Sequence, residues 1–133
     1  MNPYVKQQTA VLGAAPQQAE AWALTTAARR LADAKSSGDH ETILAAVRLN
    51  WRLWTIFQAN LSGPECEVPT EIRTSLLNLA NFVDKRSVGL IFEADPEKLD
   101  VLININRQIA AGLLGDGRAP AAAVAAMPAV TAA

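Results

Sequence analysis

The spacing of apolar residues predicts an all-α protein, a small single-domain bundle of about four to five helices over residues 1–115 with a flexible Ala/Pro-rich C-terminal tail over 116–133. Three observations carry this expectation. Large apolar side chains recur at three- and four-residue steps, the period of one helix face. Proline or a short polar cap stands at the start of these runs, and glycine stands near the end of several. No segment shows the strict alternation of a half-buried strand, and no repeat of solenoid period is present.

The elements follow in order. Asn2-Pro3 has the form of an N-cap followed by proline at the first helical position, which predicts a short helix from Pro3 to about Leu12, ended by Gly13. Pro16 opens a second helix through Ala21, Leu24, Ala28, Leu31 and Ala34, whose alanines imply close packing. Ser37-Gly38 closes it, since glycine accepts the left-handed conformation beyond a helix C-terminus. Asp39 caps a third helix to about Asn60, with Ile43, Val47, Trp54, Phe57 and Leu61 on one stripe. After Ser62-Gly63-Pro64 and an acidic loop to Val68, Pro69 starts a fourth, with Ile72, Leu76, Leu79, Val83 and Leu90 on one face. Asp95-Pro96 repeats the cap-plus-proline start of a fifth, which buries Leu99, Leu102, Ile103, Ile109, Ala110 and Leu113 before Gly115 stops it. The alanines between Pro120 and Pro128 bury little, and a helical segment of that length is marginal alone.

With 133 residues, half of them hydrophobic, the chain can enclose one modest core. Its formal net charge of −1 provides no strong field to gather nucleic acid or anionic lipid. Direct nucleic-acid binding is not expected. Neither a secretory leader nor a membrane-spanning run is read in the sequence, and a single cysteine, Cys66, suits a reducing compartment, so a cytoplasmic location is expected. An enzyme is not expected either. The lone histidine, His40, falls in a first helical turn with no orienting partner, and Asp39 and Asp95 read as helix caps. Phosphate-binding glycine loops, serine elbows and paired cysteines are missing, and the sequence suggests no catalytic residue, metal or cofactor.

More informative are two amides set in apolar stripes. Asn50 lies among Ile43, Trp54, Phe57 and Leu61, and Asn106 among Leu99, Leu102, Ile103 and Leu113. A buried amide without a hydrogen-bond partner loses about 1–3 kcal/mol, so each needs one. Either the two bond each other or nearby backbone and fix helix register, or they reach a guest helix. The third helix is also apolar beyond one core face, since Leu44 and Trp51 flank its stripe on one side and Leu49 and Ile56 on the other. Neighbouring helices of the bundle or a partner could cover these residues. Arg48 and Arg52 occupy the remaining face, and Arg86 is expected to snorkel or pair at the bundle end.

These residues resemble the FlaF family of flagellar biosynthesis regulators. The resemblance rests on Tyr4, the entry Pro16-Gln17-Gln18-Ala19-Glu20, the core Leu49-Asn50-Trp51-Arg52-Leu53-Trp54, and the closing stretch Leu102-Ile103-Asn104-Ile105-Asn106-Arg107-Gln108-Ile109-Ala110-Ala111-Gly112-Leu113. It covers Tyr4 to about Leu114. The chain departs from the family pattern at Gln17, Phe82 and Ser87, where members commonly carry arginine, tryptophan and histidine. The resemblance implies a cytoplasmic protein needed for flagellin production and filament assembly, with flagellin as partner and the flagellin-translation regulator FlbT as a second.

Together these readings predict a flagellin-binding chaperone that covers apolar stripes of unassembled flagellin and supports its synthesis, secretion and assembly. The candidate partner-binding residues are Leu44, Asn50, Trp51, Arg52, Trp54, Ile56, Asn106 and Arg107. The alternative is a post-transcriptional regulator of flagellin mRNA translation, acting directly through Arg29, Arg30, Arg48 and Arg52 or with FlbT. A third reading is a structural subunit that self-associates through Trp51 and Ile56.

Overall fold

A computed structural model describes residues 16–114, with side chains from Gln18 onward. The expected helix Pro3–Leu12, the Gly115 stop and the Ala/Pro-rich tail lie outside the described residues. Within them the protein is all-α: α1 (Pro16–Ser37), α2 (His40–Ser62), α3 (Thr70–Phe92), a 3-10 turn (Pro96–Leu99) and α4 (Asp100–Leu114).

The α1–α2 corner is built as its sequence requires. Gly38 has φ +65° and donates its N–H to the carbonyls of Ala34 and Lys35. Asp39 then caps α2, its carboxylate accepting from the Thr42 N–H at 3.0 Å and the Thr42 hydroxyl at 2.6 Å. These charge-assisted bonds hold the Asp39 carboxyl below its ordinary value. At the far corner the sequence expectation needs adjustment. Asp95 does cap the following turn, accepting from the Glu97 N–H at 3.0 Å, but the chain runs as 3-10 through Leu99 before α4 begins.

α1 packs most extensively on α4, and its buried face is Ala21, Leu24, Ala27, Ala28, Leu31 and Ala34. The alanines let the two backbones approach closely. The pair is antiparallel, since Lys35 near the end of α1 meets Asp100 at the start of α4 at 2.8 and 2.9 Å. α2 packs on both α1 and α3. Ile43, Val47 and Trp54 point into the core from α2, opposite Leu79, Val83 and Leu90 of α3 and Leu102, Ile105 and Ile109 of α4. A fully buried side chain of this kind contributes about 1.5–3 kcal/mol relative to exposure, so this layer dominates the fold's stability.

The stripe expected on α3 is buried unevenly. Leu79, Val83 and Leu90 are sealed, whereas Ile72 and Leu76 near the start of the helix are only half-buried. Among the described residues, the loop from Gly63 to Pro69 and this end of α3 leave one end of the core open.

Candidate functional site

That open end is a groove of about 1010 Å³. Its walls are the beginning of α1, the ends of α2 and α4, the Gly63–Pro69 loop and the beginning of α3. Leu24, Phe57, Ile72, Leu76, Ile109 and Leu113 give it an apolar lining, and Trp54 closes its floor. Phe57 stands edge-on to Trp54, with ring centroids 5.7 Å apart and planes at 82°. The rim is acidic: Glu20, Glu65 and Glu67 border the groove, and among the described residues no Lys or Arg lines it. Burial against this apolar wall raises the Glu20 carboxyl above its ordinary value.

Beneath the floor, the two asparagines meet. Asn106 Nδ2 donates to Asn50 Oδ1 at 2.6 Å, and the Trp54 indole N–H donates to Asn106 Oδ1 at 2.9 Å. The direction of this chain is forced. An indole can only donate, so Asn106 must turn its oxygen to Trp54 and its amide nitrogen to Asn50, which in turn must present its oxygen. Asn106 Nδ2 also reaches the Leu24 carbonyl of α1 at 3.5 Å, so α1, α2 and α4 are tied at one level. The relay ends with Asn50 Nδ2, which is buried without a partner. Of the two roles left open for the amides, their mutual bond is the one observed, and both side chains are fully buried.

The remaining candidate residues divide by position. Leu44 is buried in the bundle, as is Trp54, which also lines the groove. Trp51 is half-buried, and its indole N–H donates to Asp84 Oδ1 at 2.9 Å, which ties α2 to α3. Arg52 and Arg107 are exposed on the outer faces of α2 and α4. Ile56 is 52% exposed and Leu49 40%, on the side of α2 turned from the core. The surplus apolar surface expected on α2 is therefore covered by neighbouring helices on the Leu44–Trp51 side and open on the Leu49–Ile56 side. Arg86 behaves as expected, lying 5.3 Å over the Phe82 ring and donating to the Lys98 carbonyl at 3.4 Å.

Sequence reasoning missed the groove itself. Periodicity places Ile72, Leu76 and Leu113 on buried faces without saying how far along them the neighbours extend, and all three are only half-buried, whereas Ile109 is buried in the core as expected. The available signal was the Pro64–Pro69 loop, long and acidic beside the start of an apolar stripe. Among the described residues, no cluster of His, Cys, Asp and Glu could hold a metal ion, and no helix is long and apolar enough to cross a membrane.

Comparison with known proteins places this architecture. No curated protein and no solved structure matches the chain. A family model does match, over residues 1–113, and its description is flagellar protein FlaF. That span includes all four helices but for the last residue of α4, together with the asparagine relay and every wall of the groove. The chain belongs to the FlaF family of flagellar proteins.

Proposed function

We propose that this flagellar protein is a flagellin-binding chaperone, and that the groove over Trp54 receives an amphipathic helix of unassembled flagellin. The observation that carries this reading is the groove: an apolar trough at one end of the bundle, continuous with its core through Leu24, Trp54 and Ile109. A trough lined by Leu24, Phe57, Ile72 and Leu113 matches the helix-in-groove mode, in which side chains at three- and four-residue steps anchor the guest. Filament-forming helices need such cover before assembly, because their apolar stripes otherwise associate prematurely. The protein acts in the cytoplasm, without catalysis, and FlbT is its second partner in the control of flagellin synthesis.

The test is co-elution of purified protein and monomeric flagellin on a sizing column, followed by titration of two variants. Ile72→Asp places a charge on the groove wall and should weaken binding at least tenfold, about 1.4 kcal/mol. Ile56→Asp alters the exposed outer face of α2 and should leave binding unchanged. Separate elution of the wild-type proteins at micromolar concentration refutes the chaperone reading. Loss of binding only with Ile56→Asp moves the site to the outer face of α2.

A further inference from the structure

We propose that the groove of one molecule seats the outer face of α1 and α2 of a second copy, so that the protein self-associates head to tail. The first support is the shape of that face. Trp22 of α1 is 60% exposed, and Leu49, Leu53 and Ile56 of α2 recur at the i, i+4, i+7 spacing by which a helix anchors in a groove. At ~100° per residue these three fall within an arc of about 60°, turned about 120° from Ile43, Val47, Asn50 and Trp54, which enter the core.

Two bonds fix where the arc points. Trp51 donates to Asp84 and so marks the α3 side of α2, which leaves Leu49, Leu53 and Ile56 on the α1 side. Lys35 bonds Asp100 and so marks the α4 side of α1, which leaves Thr26 and Arg30 beside α2 and Trp22 turned outward. The corner at Gly38-Asp39 and the packing of the two helices make them antiparallel, so Trp22 stands level with Ile56. The result is an apolar ridge along the α1–α2 seam.

The second support is charge. Residues 21–32 and 42–61 contain Arg29, Arg30, Arg48 and Arg52 and no carboxylate, whereas the groove is bordered by Glu20, Glu65 and Glu67 and, among the described residues, lined by no cation. All four arginines are exposed, and the described ion pairs all belong to Lys35, so none of the four is paired among the described residues. Asp33 and Glu41, the carboxylates nearest this face in sequence, stand at its far end by the α1–α2 corner. A ridge bordered by cations thus faces a trough rimmed by anions. A two-fold contact of the ridge with itself would set arginines against arginines and leave the groove unfilled.

Ridge and groove are different surfaces, so the contact is heterologous. The ridge is small, which puts the association in the weak class, populated well above the concentrations at which a tight guest is titrated. The proposal does not rest on the chaperone reading, and its test contains no flagellin.

The experiment is sedimentation equilibrium on the full chain alone, from about 5 to about 500 μM, a span that reaches weak association. The weight-average mass of the wild type should rise toward at least that of a pair, and less so as added salt screens the charged borders. Ile56→Asp on the ridge and Ile72→Asp in the groove should each weaken association at least tenfold, with far-UV circular dichroism unchanged. Glu65→Lys combined with Glu67→Lys, both exposed on the loop, should weaken it at low salt and replaces Ile72→Asp if that variant unfolds. An equimolar mixture of the ridge and groove variants should associate again and stop at a pair, since one brings an intact groove and the other an intact ridge. A wild type that stays monomeric over the whole range overturns the proposal. So does a groove variant that associates like the wild type, which identifies a ridge-to-ridge contact, or a mixture of folded variants that stays monomeric.

Discussion

Replacing Asn106 by leucine separates a one-way hydrogen-bond relay from a pair of independent buried amides. Leucine and asparagine have similar branched shapes, so the change is chiefly one of hydrogen bonding. Without Asn106 the Trp54 indole N–H and Asn50 Oδ1 both lose the only partners they have among the described residues, in a region shielded from water. At about 1–3 kcal/mol for each stranded group, Asn106→Leu should cost about 2–6 kcal/mol. Asn50→Leu is different. It deprives Asn106 Nδ2 of its short bond but leaves the 3.5 Å contact to the Leu24 carbonyl, and it removes the unpaired Asn50 Nδ2 altogether. The two effects oppose, and the net change should lie within about 1 kcal/mol of zero. The double variant strands only the indole, so it should be more stable than Asn106→Leu by about 1–3 kcal/mol. Urea unfolding followed by far-UV circular dichroism resolves these differences through the midpoint. Equal losses for Asn106→Leu and Asn50→Leu, or single losses that simply add in the double variant, would refute the relay.

Ser87 Oγ is buried without a partner in α3, so Ser87→Ala should leave stability unchanged or raise it by about 1 kcal/mol in the same unfolding assay. Gly38 has φ +65° with nothing within 4 Å of a built Cβ, so Gly38→Ala should cost about 1–2 kcal/mol from backbone strain alone, and Gly38→Asn less. Glu20 has its folded pKa raised by burial, which means its contribution to stability is fully present below the ordinary value of 4.5 and is lost as pH rises through the higher folded value. Glu20→Gln should therefore be the more stable protein at pH 7, with a flatter stability profile above pH 4.5. Lys35 is raised above 10.5 by its bond to Asp100, so that pairing is present in full at neutral pH and is lost only as pH climbs through the raised value. The stability gap between wild type and Asp100→Asn should stay constant from neutral pH to about 10 and close above 10.5.

The helices were legible because their punctuation is local. Gly38 and Asp39 satisfy the end of one helix and the start of the next with their own atoms, so the corner can be read without knowing the fold. The 3-10 turn at Pro96–Leu99 was less legible: cap and proline specify where a helix starts, whereas the winding of its first turn depends on how Leu99 reaches the core. The same boundary separates Asn50 and Asn106 from the groove. Their burial follows from helical period, and period also restricts their partners to groups on facing helices. The incomplete cover over Ile72 and Leu76 depends instead on where α3 sits relative to the end of α4, a relation between distant segments that no local pattern encodes.

The relay and the groove share one side chain. Trp54 lines the groove and donates its N–H to Asn106, so the bond that satisfies the indole also sets the orientation of the floor on which a guest helix would rest. An apolar replacement for the amides would remove the unpaired Asn50 nitrogen, but it would free the indole to rotate among rotamers that no longer meet a specific acceptor. Because an indole donates and cannot accept, the chain of bonds has only one polarity, and reversing either amide places two donors face to face. A floor held by a single hydrogen-bond polarity is rigid in the direction that matters for shape, while the half-buried Ile72, Leu76 and Phe57 around it keep the freedom to adjust. The end of the bundle thus combines a fixed base with adjustable walls, which is the arrangement a groove requires if it is to accept guest helices whose side chains differ.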